Sequence, residues 1–397
     1  IFILFDNKTT ILLLGIISIL FGIILLIYSA RRFLISIIEH TPLNNNEKLL
    51  DIMYERHHLK KGPKIVVIGG GTGLSVLLRG LKDYTENITA IVTVSDDGGS
   101  SGILRGEMGI LPPGDIRNCL IALADTEPLM KELFQYRFKT GTLKDHCFGN
   151  LFIAAMTDVT GDFQQAVNEF SKVLAVGGNV IPATLEDIVL YAETEEGAII
   201  QGESSVSKGE TPIKRVFIEP PNVRPVKEAL DAIKGADGVI IGPGSLYTSI
   251  MPNLLIEDIT NEIRKTLAYK IFVTNVMTEK GETNNFTASD HIKLIDKYFG
   301  SDIFDCILIN TGNVPNDILE RYKAEGAEPV IPDLENTEHL GKDIISGDFI
   351  SKEEFARHDS EKLARKIVEL VVENSCANKK YKILDILYWK DKLELRL

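Results

Sequence analysis

Five short β-branched runs, each followed by a loop rich in Gly, Ser, Asn and Thr, constrain the fold of this chain more than any other feature. The first run, Lys64 to Ile68, precedes the loop GGGTGLS at residues 69–75. Apolar residues then recur at helical spacing, at Leu74, Leu77, Leu78 and Leu81. Strand, tight glycine turn and helix in this order predict an α/β fold built on a Rossmann-like, doubly wound, mostly parallel sheet.

The same pattern returns four times along the chain. The runs and loops are Ile88 to Val94 before SDDGGSSG (95–102), Val239 to Ile241 before GPGSLYTS (242–249), Lys270 to Thr274 before NVMTEKGETNN (275–285), and Cys306 to Ile309 before NTGNVP (310–315). Loops that follow parallel strands emerge at one sheet edge, where ligands bind at the switch in strand order. We therefore expect a single crevice that gathers all five loops.

Glycine turns beside helix starts are suited to phosphate groups, because bare backbone allows close approach and the helix N–H groups attract anions. These loops therefore predict a phosphorylated ligand. The candidate binding residues in them are Gly69, Gly70, Gly71, Thr72, Gly73, Gly98, Gly242, Gly244, Ser245 and Asn275.

Two common nucleotide motifs fit the first loop poorly. A dinucleotide fingerprint counted from Gly69 needs a third glycine at position 74, where Leu74 stands. A P-loop is excluded because no Lys-Ser or Lys-Thr pair closes the loop. An NAD-dependent oxidoreductase would have the turn but lacks an evident catalytic His or Lys/Tyr arrangement.

Asp96 and Asp97 follow the second predicted strand and allow more than one role. Adjacent carboxylates above a phosphate loop would repel the ligand unless a hard cation joined them, which predicts Mg²⁺ bound by Asp96 and Asp97. The alternatives are hydrogen bonding to a ribose hydroxyl or to the backbone, and a structural helix cap.

Residues 103–235 are predicted to interrupt the sheet as an inserted α+β subdomain. PPGDIRN (112–118) begins a helix, so Arg117 is a candidate phosphate clamp, with a surface ion pair to Asp115 as the alternative. HCFGN (146–150) precedes another helix, and Asn150 is a candidate contact for a ligand amide or hydroxyl. The alternation within Ile188 to Glu203 predicts a β-hairpin.

The amino-terminal part carries an unbroken apolar stretch. As a helix, residues 9–30 reach about 33 Å, and the following Arg31 and Arg32 predict a cytoplasmic main domain on a membrane anchor. The predicted localisation is thus the cell membrane. The predicted segments are an anchor over residues 1–32 (transmembrane about 9–30), a juxtamembrane linker over 33–62, the main domain over 63–375, and an amphipathic tail over 376–397.

Charge excludes one class of partner. Residues 62–397 hold 36 basic and 51 acidic side chains, a net charge of −15. A nucleic-acid-binding domain uses a basic surface to neutralise phosphates. We therefore predict no nucleic-acid partner.

Seven motifs together resemble the bacterial gluconeogenesis factor family, within the wider superfamily of CofD-like phospholactate transferases. They are GGGTGLSVLLRGLK, VTVSDDGGSSG, PPGDIRN, HCFGNL, IGPGSLYTSIMPNLL, NVMTEKGET and RHDSEKLA. The resemblance covers about residues 63 to 372. It implies a regulatory protein that binds UDP-N-acetylglucosamine and controls cell-envelope precursor supply and cell shape during gluconeogenic growth, without implying enzymatic turnover.

The resemblance also implies particular residues and partners. Tyr322, in RYKAEGAEPV, and Arg357, in RHDSEKLA, correspond to positions that hold the UDP-sugar. It implies a protein partner in amino-sugar or cell-wall synthesis, and the sequence leaves open whether the chain forms a homo-oligomer. The alternative function is a Mg²⁺-dependent 2-phospho-L-lactate transferase that uses a nucleotide-linked donor.

Overall fold

The computed structural model describes residues 8–39, 58–209, 211–351 and 355–377. The chain divides into two compact units, residues 1–58 and 59–397. Residues 40–57, which are most of the predicted linker, and the tail from residue 378 onward lie outside the described residues.

In the first unit the apolar stretch is helical. Helix α1 spans Lys8–Glu39, so it continues through Arg31 and Arg32 instead of ending before them. No helix among the described residues combines the length and apolar character that crossing a membrane requires. The predicted transmembrane helix over about residues 9–30 is therefore not supported, and the membrane localisation stays a prediction.

The second unit is built on a seven-stranded sheet in the order β10-β9-β8-β7-β1-β2-β3, and every neighbouring pair in it is parallel. The strands are β1 (Ile65–Gly69), β2 (Ile88–Val92), β3 (Asn179–Pro182), β7 (Gly238–Ile241), β8 (Tyr269–Val273), β9 (Cys306–Asn310) and β10 (Asp343–Gly347). Central strands such as β1 are wholly buried, as their continuous apolar sequence requires when helices cover both faces of a sheet.

Helices of the second unit cover this sheet and include one short π-helical turn at Leu246–Ile250. They are α2 (Gly71–Leu81), α3 (Gly99–Met108), α4 (Gly114–Leu123), α5 (Pro128–Gln135), α6 (Phe148–Thr160), α7 (Phe163–Val173), α8 (Glu203–Val206), α9 (Lys227–Gly235), α10 (Met251–Leu254), α11 (Glu257–Lys265), α12 (Ala288–Phe299), α13 (Asn316–Glu325), α14 (Leu334–Glu338) and α15 (Ser360–Ala377). One continuous apolar core joins the sheet to its helices.

The strand order confirms the doubly wound sheet. Strands β1, β2 and β3 progress toward one edge and β7 to β10 toward the other, so the order switches where β1 pairs with β7. All five predicted loops follow parallel strands and therefore leave the sheet at one edge. The five loops thus share one edge as predicted, but the prediction of a single crevice gathering all five is wrong, since only the loops after β1, β7 and β8 line the cavity described below.

The predicted insertion over residues 103–235 needs correction. Its strand β3 belongs to the main sheet, where it pairs with β2, so the sheet is interrupted only later. A separate antiparallel sheet then follows, in the order β5-β4-β6. It comprises β4 (Val189–Thr194), β5 (Ile199–Gln201) and β6 (Ile213–Glu219). Strands β4 and β5 form the predicted hairpin.

Candidate functional site

A cavity of about 260 Å³ lies at the switch in strand order. The loops after β1, β7 and β8 supply three of its walls, and the segments around Tyr322 and Arg357 supply the rest. Its lining includes Gly70, Gly71, Thr72, Gly73, Gly244, Ser245, Asn275, Tyr322 and Arg357, all predicted from the sequence. Below, the residues that line this cavity are called the open side of the sheet edge.

Bare backbone shapes the open side at two points. Gly71 has a φ of +65°, a conformation that residues with a side chain rarely adopt. A methyl group at Gly73 would lie 2.7 Å from the Pro243 carbonyl oxygen and 3.1 Å from the Gly244 Cα atom. Glycine at position 73 therefore allows the loops after β1 and β7 to meet.

The amino terminus of α2 faces the cavity, because Gly71, Thr72 and Gly73 are the first residues of this helix. The first N–H groups of a helix have no partner within it and attract anions. The Gly71 N–H donates to the Asp115 carboxylate at 2.6 Å, and the cap residue Gly70 brings no side chain. Burial, followed by the nearby Asp96 carboxylate, raises the pKa of Asp115 to about 6.

Arg357 and Tyr322 come from the carboxyl-terminal third of the chain. Tyr322, on α13, packs against the apolar group Val276, Met277, Ile318, Ile350 and Ala356. The Arg357 guanidinium lies 4.6 Å from the centre of the Phe355 ring. A second cavity, of about 560 Å³, shares Val76, Arg357 and His358 with the first, so Arg357 borders both.

His358 beside it is buried, and burial lowers its pKa to about 4. At neutral pH its imidazole is therefore uncharged. Arg357, in contrast, brings a permanent positive charge to the cavity, and a planar guanidinium can bind two oxygens of a phosphate at once.

The third wall joins two loops through Asn275. The Asn275 side-chain oxygen Oδ1 accepts from the Gly244 N–H at 3.2 Å, and the side-chain amide nitrogen Nδ2 donates to the Glu279 carboxylate at 3.4 Å. Burial raises the pKa of Glu279, and a hydrogen bond from Ser245 opposes the shift. This wall thus combines an amide with a buried acid.

Seven predicted site residues lie outside the cavity lining, and five of them form a separate polar group. We call this group, with Ser95 and Glu203, the closed side, because its polar groups bind one another. Asp96 accepts from the Gly98 N–H at 2.9 Å, and Asp97 accepts from the Ser204 N–H at 2.8 Å. The five are Asp96, Asp97, Gly98, Arg117 and Asn150.

Arg117 neither reaches the cavity nor lies at the surface. Only 8% of it is exposed, and its guanidinium donates to the side-chain oxygens of Asn150 at 2.5 Å and Asn118 at 2.7 Å. The predicted surface ion pair with Asp115 is therefore wrong. Gly69 and Gly242 are also absent from the lining, since Gly69 ends β1 and Gly242 turns the chain toward Pro243 at a φ of +79°.

The magnesium prediction gains no support. Each carboxylate is already engaged with a backbone N–H of its own surroundings. Among the residues that the structure describes, no group of three or more His, Cys, Asp or Glu is placed to hold a metal ion.

Several lining residues had no individual prediction. They are Val76, Pro243, Ser249, Val276, Met277, Thr278, Glu279, Ala356 and His358. Six of them, from Pro243 to Glu279, lie in the quoted loops, and the loop composition is the only signal in the sequence that marks them.

This chain is similar to known proteins over most of its length. Residues 65–350 match the model of the family described as 2-phospho-L-lactate transferase CofD. The gluconeogenesis factor of Bacillus subtilis is 50% identical over 313 residues, which cover 78% of this chain and 99% of that protein. The chain belongs to the CofD-like gluconeogenesis factor family.

Two further relatives support this assignment. A protein of Clostridium acetobutylicum is 48% identical over 371 residues, covering 91% of this chain and 82% of that protein. The crystal structure of a UPF0052 family member from Bacillus halodurans, 48% identical, superposes with a TM-score of 0.75 over 77% of this chain and 99% of that one. The predicted family is therefore confirmed.

Proposed function

We propose that this gluconeogenesis factor family member is a regulatory protein that binds UDP-N-acetylglucosamine at the open side. In this proposal the bound nucleotide sugar reports the supply of cell-envelope precursors, and a protein partner in amino-sugar or cell-wall synthesis receives the signal. The observation that carries the proposal is the cavity itself, where glycine turns, a helix amino terminus and Arg357 meet.

The chemistry of the cavity suits a nucleoside diphosphate. The α2 amino terminus and the Arg357 guanidinium offer N–H donors and positive charge to a diphosphate. The apolar group around Tyr322 offers a flat surface for a base. The adjoining 560 Å³ cavity gives an elongated ligand space beyond Arg357.

Thermal unfolding of the purified full chain tests the binding step. At about 100 times the Kd, a ligand adds about 2.7 kcal/mol to the free energy of unfolding. We expect the melting temperature to rise with UDP-N-acetylglucosamine concentration, and to rise less with NAD or a GDP-linked compound at the same concentration. A folded sample with an unchanged melting temperature over a wide titration would contradict the proposal.

Arg357→Ala separates binding from folding. Loss of a charge-assisted phosphate contact costs about 1.5–3 kcal/mol, which weakens affinity about tenfold to hundredfold. We expect this loss in calorimetric titrations with UDP-N-acetylglucosamine, while the ligand-free melting temperature stays unchanged because Arg357 is exposed.

The matched control is Arg321→Ala. Arg321 precedes Tyr322 on α13, is exposed, and does not line the cavity. Its removal subtracts the same charge from the same region, so we expect the affinity to stay within about twofold. Equal affinity in the parent and Arg357→Ala would return Arg357 to a purely structural role.

A second candidate function follows from the matched family description, which names a 2-phospho-L-lactate transferase. That activity would consume a nucleotide-linked donor and release the nucleotide. Incubation of the protein with Mg²⁺, a guanosine-linked phospholactate donor and a deazaflavin acceptor, followed by chromatography, detects it. Product formation would favour the transferase, and ligand binding without turnover favours the regulator.

The regulatory role has its own test. We expect the chain to restore growth on gluconeogenic carbon and normal cell shape to Bacillus subtilis lacking its own gluconeogenesis factor. Arg357→Ala, produced at the same level, is the informative variant. If it restores growth as well as the parent, the nucleotide sugar does not carry the signal.

A further inference from the structure

The wall formed by Glu279 and Asn275 places an acid where a diphosphate ligand would not be expected to need one. Glu279 lines the cavity with Gly70, Gly71 and Ser245, all of which favour an anion. No ion pair to Glu279 is formed within the described part of the chain. An acid without a cation beside a phosphate site costs free energy, which calls for a compensating role.

The contacts of Glu279 fix its position. Its backbone N–H donates to the Thr283 hydroxyl at 2.9 Å, and its carboxylate receives the Asn275 amide at 3.4 Å and a hydrogen bond from Ser245. The neighbouring Thr278 makes two hydrogen bonds with Glu328: the Thr278 N–H donates to the Glu328 carbonyl oxygen at 2.7 Å, and the Thr278 hydroxyl oxygen accepts from the Glu328 N–H at 2.9 Å. A carboxyl group held in this way is oriented before any ligand arrives.

We propose that Glu279 is a specificity-determining residue that accepts hydrogen bonds from the vicinal hydroxyls of a sugar ring in the ligand. A carboxylate accepts two such bonds, and the Asn275 amide beside it supplies a complementary donor. The inference rests on the proposed function, since it assigns one part of the same ligand to one wall of the same cavity.

Charge explains how this wall selects among nucleotides. Hydroxyl groups are neutral and donate hydrogen bonds to the Glu279 carboxylate. A further anionic group at the same place has no hydrogen to donate, so the carboxylate would repel it. Burial of Glu279 raises its pKa, and the hydrogen bond from Ser245 opposes that shift only in part. The wall therefore admits a polyhydroxyl ring and opposes an additional phosphate or carboxylate.

Two rings in a UDP-sugar carry vicinal hydroxyls, the ribose and the hexose, and calorimetric titration of Glu279→Gln distinguishes them. Glutamine keeps the shape but loses the charge and one acceptor, so we expect affinity to fall about tenfold. An equal loss for UDP and UDP-N-acetylglucosamine assigns Glu279 to the ribose. A loss for UDP-N-acetylglucosamine alone assigns it to the hexose. Unchanged affinity for both overturns the inference.

Glu282→Gln is the matched control. Glu282 lies on the same loop, but its carboxylate accepts from Thr248 at 3.0 Å and Ser207 at 3.1 Å and does not line the cavity. We expect its affinities to stay within about twofold of the parent's. An equal loss in both variants would mean that the loop, and not the Glu279 contact, is responsible. If the parent itself binds neither nucleotide, the proposed function fails and not this assignment alone.

Discussion

Strands β1 and β2 are parallel neighbours, yet the loops that follow them differ in whether their polar groups face a cavity or bind other groups of the protein. After β1 the helix N–H groups of Thr72 and Gly73 face a cavity, with Arg357 among its other walls. After β2 the polar side chains are hydrogen-bonded within the protein, because Asp96 and Asp97 accept from backbone N–H groups. One sheet edge thus carries both an open and a closed side.

The difference comes from what the chain places over each loop. Helix α8, between β5 and β6, sits at the closed side, where the Ser95 hydroxyl contacts the Glu203 carboxylate at 3.3 Å and Asp97 accepts from Ser204. Burial, then the nearby acids Asp96, Asp115 and Glu282, raise the pKa of Glu203 well above its usual range. A segment of the protein thus occupies the space that a ligand could take, and similar loop composition does not imply similar availability.

Arg117→Met should cause the largest loss of stability among these substitutions. It tests whether the closed side contributes to folding but not to ligand binding. It leaves the oxygens of the buried Asn150 and the half-buried Asn118 side chains without their donor, so we expect a loss of about 3 kcal/mol in the free energy of unfolding. Urea unfolding measures the loss. UDP-N-acetylglucosamine affinity should stay within about twofold, because Arg117 does not line the cavity.

The matched control is Arg137→Met, a substitution of an exposed arginine that donates to the Asp145 carbonyl oxygen at 2.6 Å. Surface contacts of this kind contribute little, so the expected change is below about 1 kcal/mol. A stable Arg117→Met protein that has lost its ligand affinity would contradict the contrast between the two sides, since it would show that Arg117 contributes to ligand binding.

Gly73→Ala tests the open side in the same way, with a smaller expected effect. The added methyl group meets backbone atoms of Pro243 and Gly244, which cannot rotate away as a side chain can. Overpacking of this kind costs about 1–3 kcal/mol, and we expect about 2 kcal/mol together with weaker nucleotide binding. Denaturant unfolding and calorimetric titration measure the two effects.

Gly106→Ala is the control for that substitution. Gly106 lies in α3, and a methyl group there has no neighbour within 4 Å. Alanine is the better helix former, so this variant should gain up to about 1 kcal/mol and bind normally. If Gly73→Ala behaves like Gly106→Ala, the close meeting of the two loops is not required.

Much of the fold was predictable from local patterns. All five proposed strands exist, because runs such as Ile65–Gly69 are buried on both faces and must be continuously apolar. Strands β3 and β10 have no comparable signal in the sequence. Strand β3 spans only Asn179–Pro182, and β10, at the sheet edge, is half-exposed and mixes polar residues with apolar ones.

The site was predictable only where backbone chemistry defines it. Gly70, Gly71 and Gly73 follow from the need for bare backbone at a strand-to-helix turn. Arg117 and Asn150 were misplaced because a sequence shows that a polar residue begins a helix but not whether another side chain has already bound it. Tyr322 and Arg357 came from the family resemblance and not from their spacing.

A pH-dependent effect tests the boundary between the two sides, where Glu282 accepts from Thr248 and from Ser207 just after α8. Burial, with the nearby Glu279 as the next cause, raises the pKa of Glu282 to about 8. In the unfolded chain its pKa is near 4.5, the ordinary value for a glutamate. Between these two pKa values the folded state therefore binds one more proton than the unfolded state. The stabilisation by this proton is complete below about pH 4.5 and is lost as the pH rises toward 8.

Glu282→Gln removes the titrating group. Between pH 6 and pH 7, the free energy of unfolding of the parent should therefore fall by about 1.4 kcal/mol per pH unit relative to that of the variant. Urea unfolding of both proteins at several pH values measures the difference, and Glu228→Gln, on the exposed face of α9, should follow the parent's curve. Parallel curves for the parent and Glu282→Gln would mean that the Glu282 carboxyl is hydrated. Water would then reach the closed side at this boundary, and the two sides would differ less than we infer.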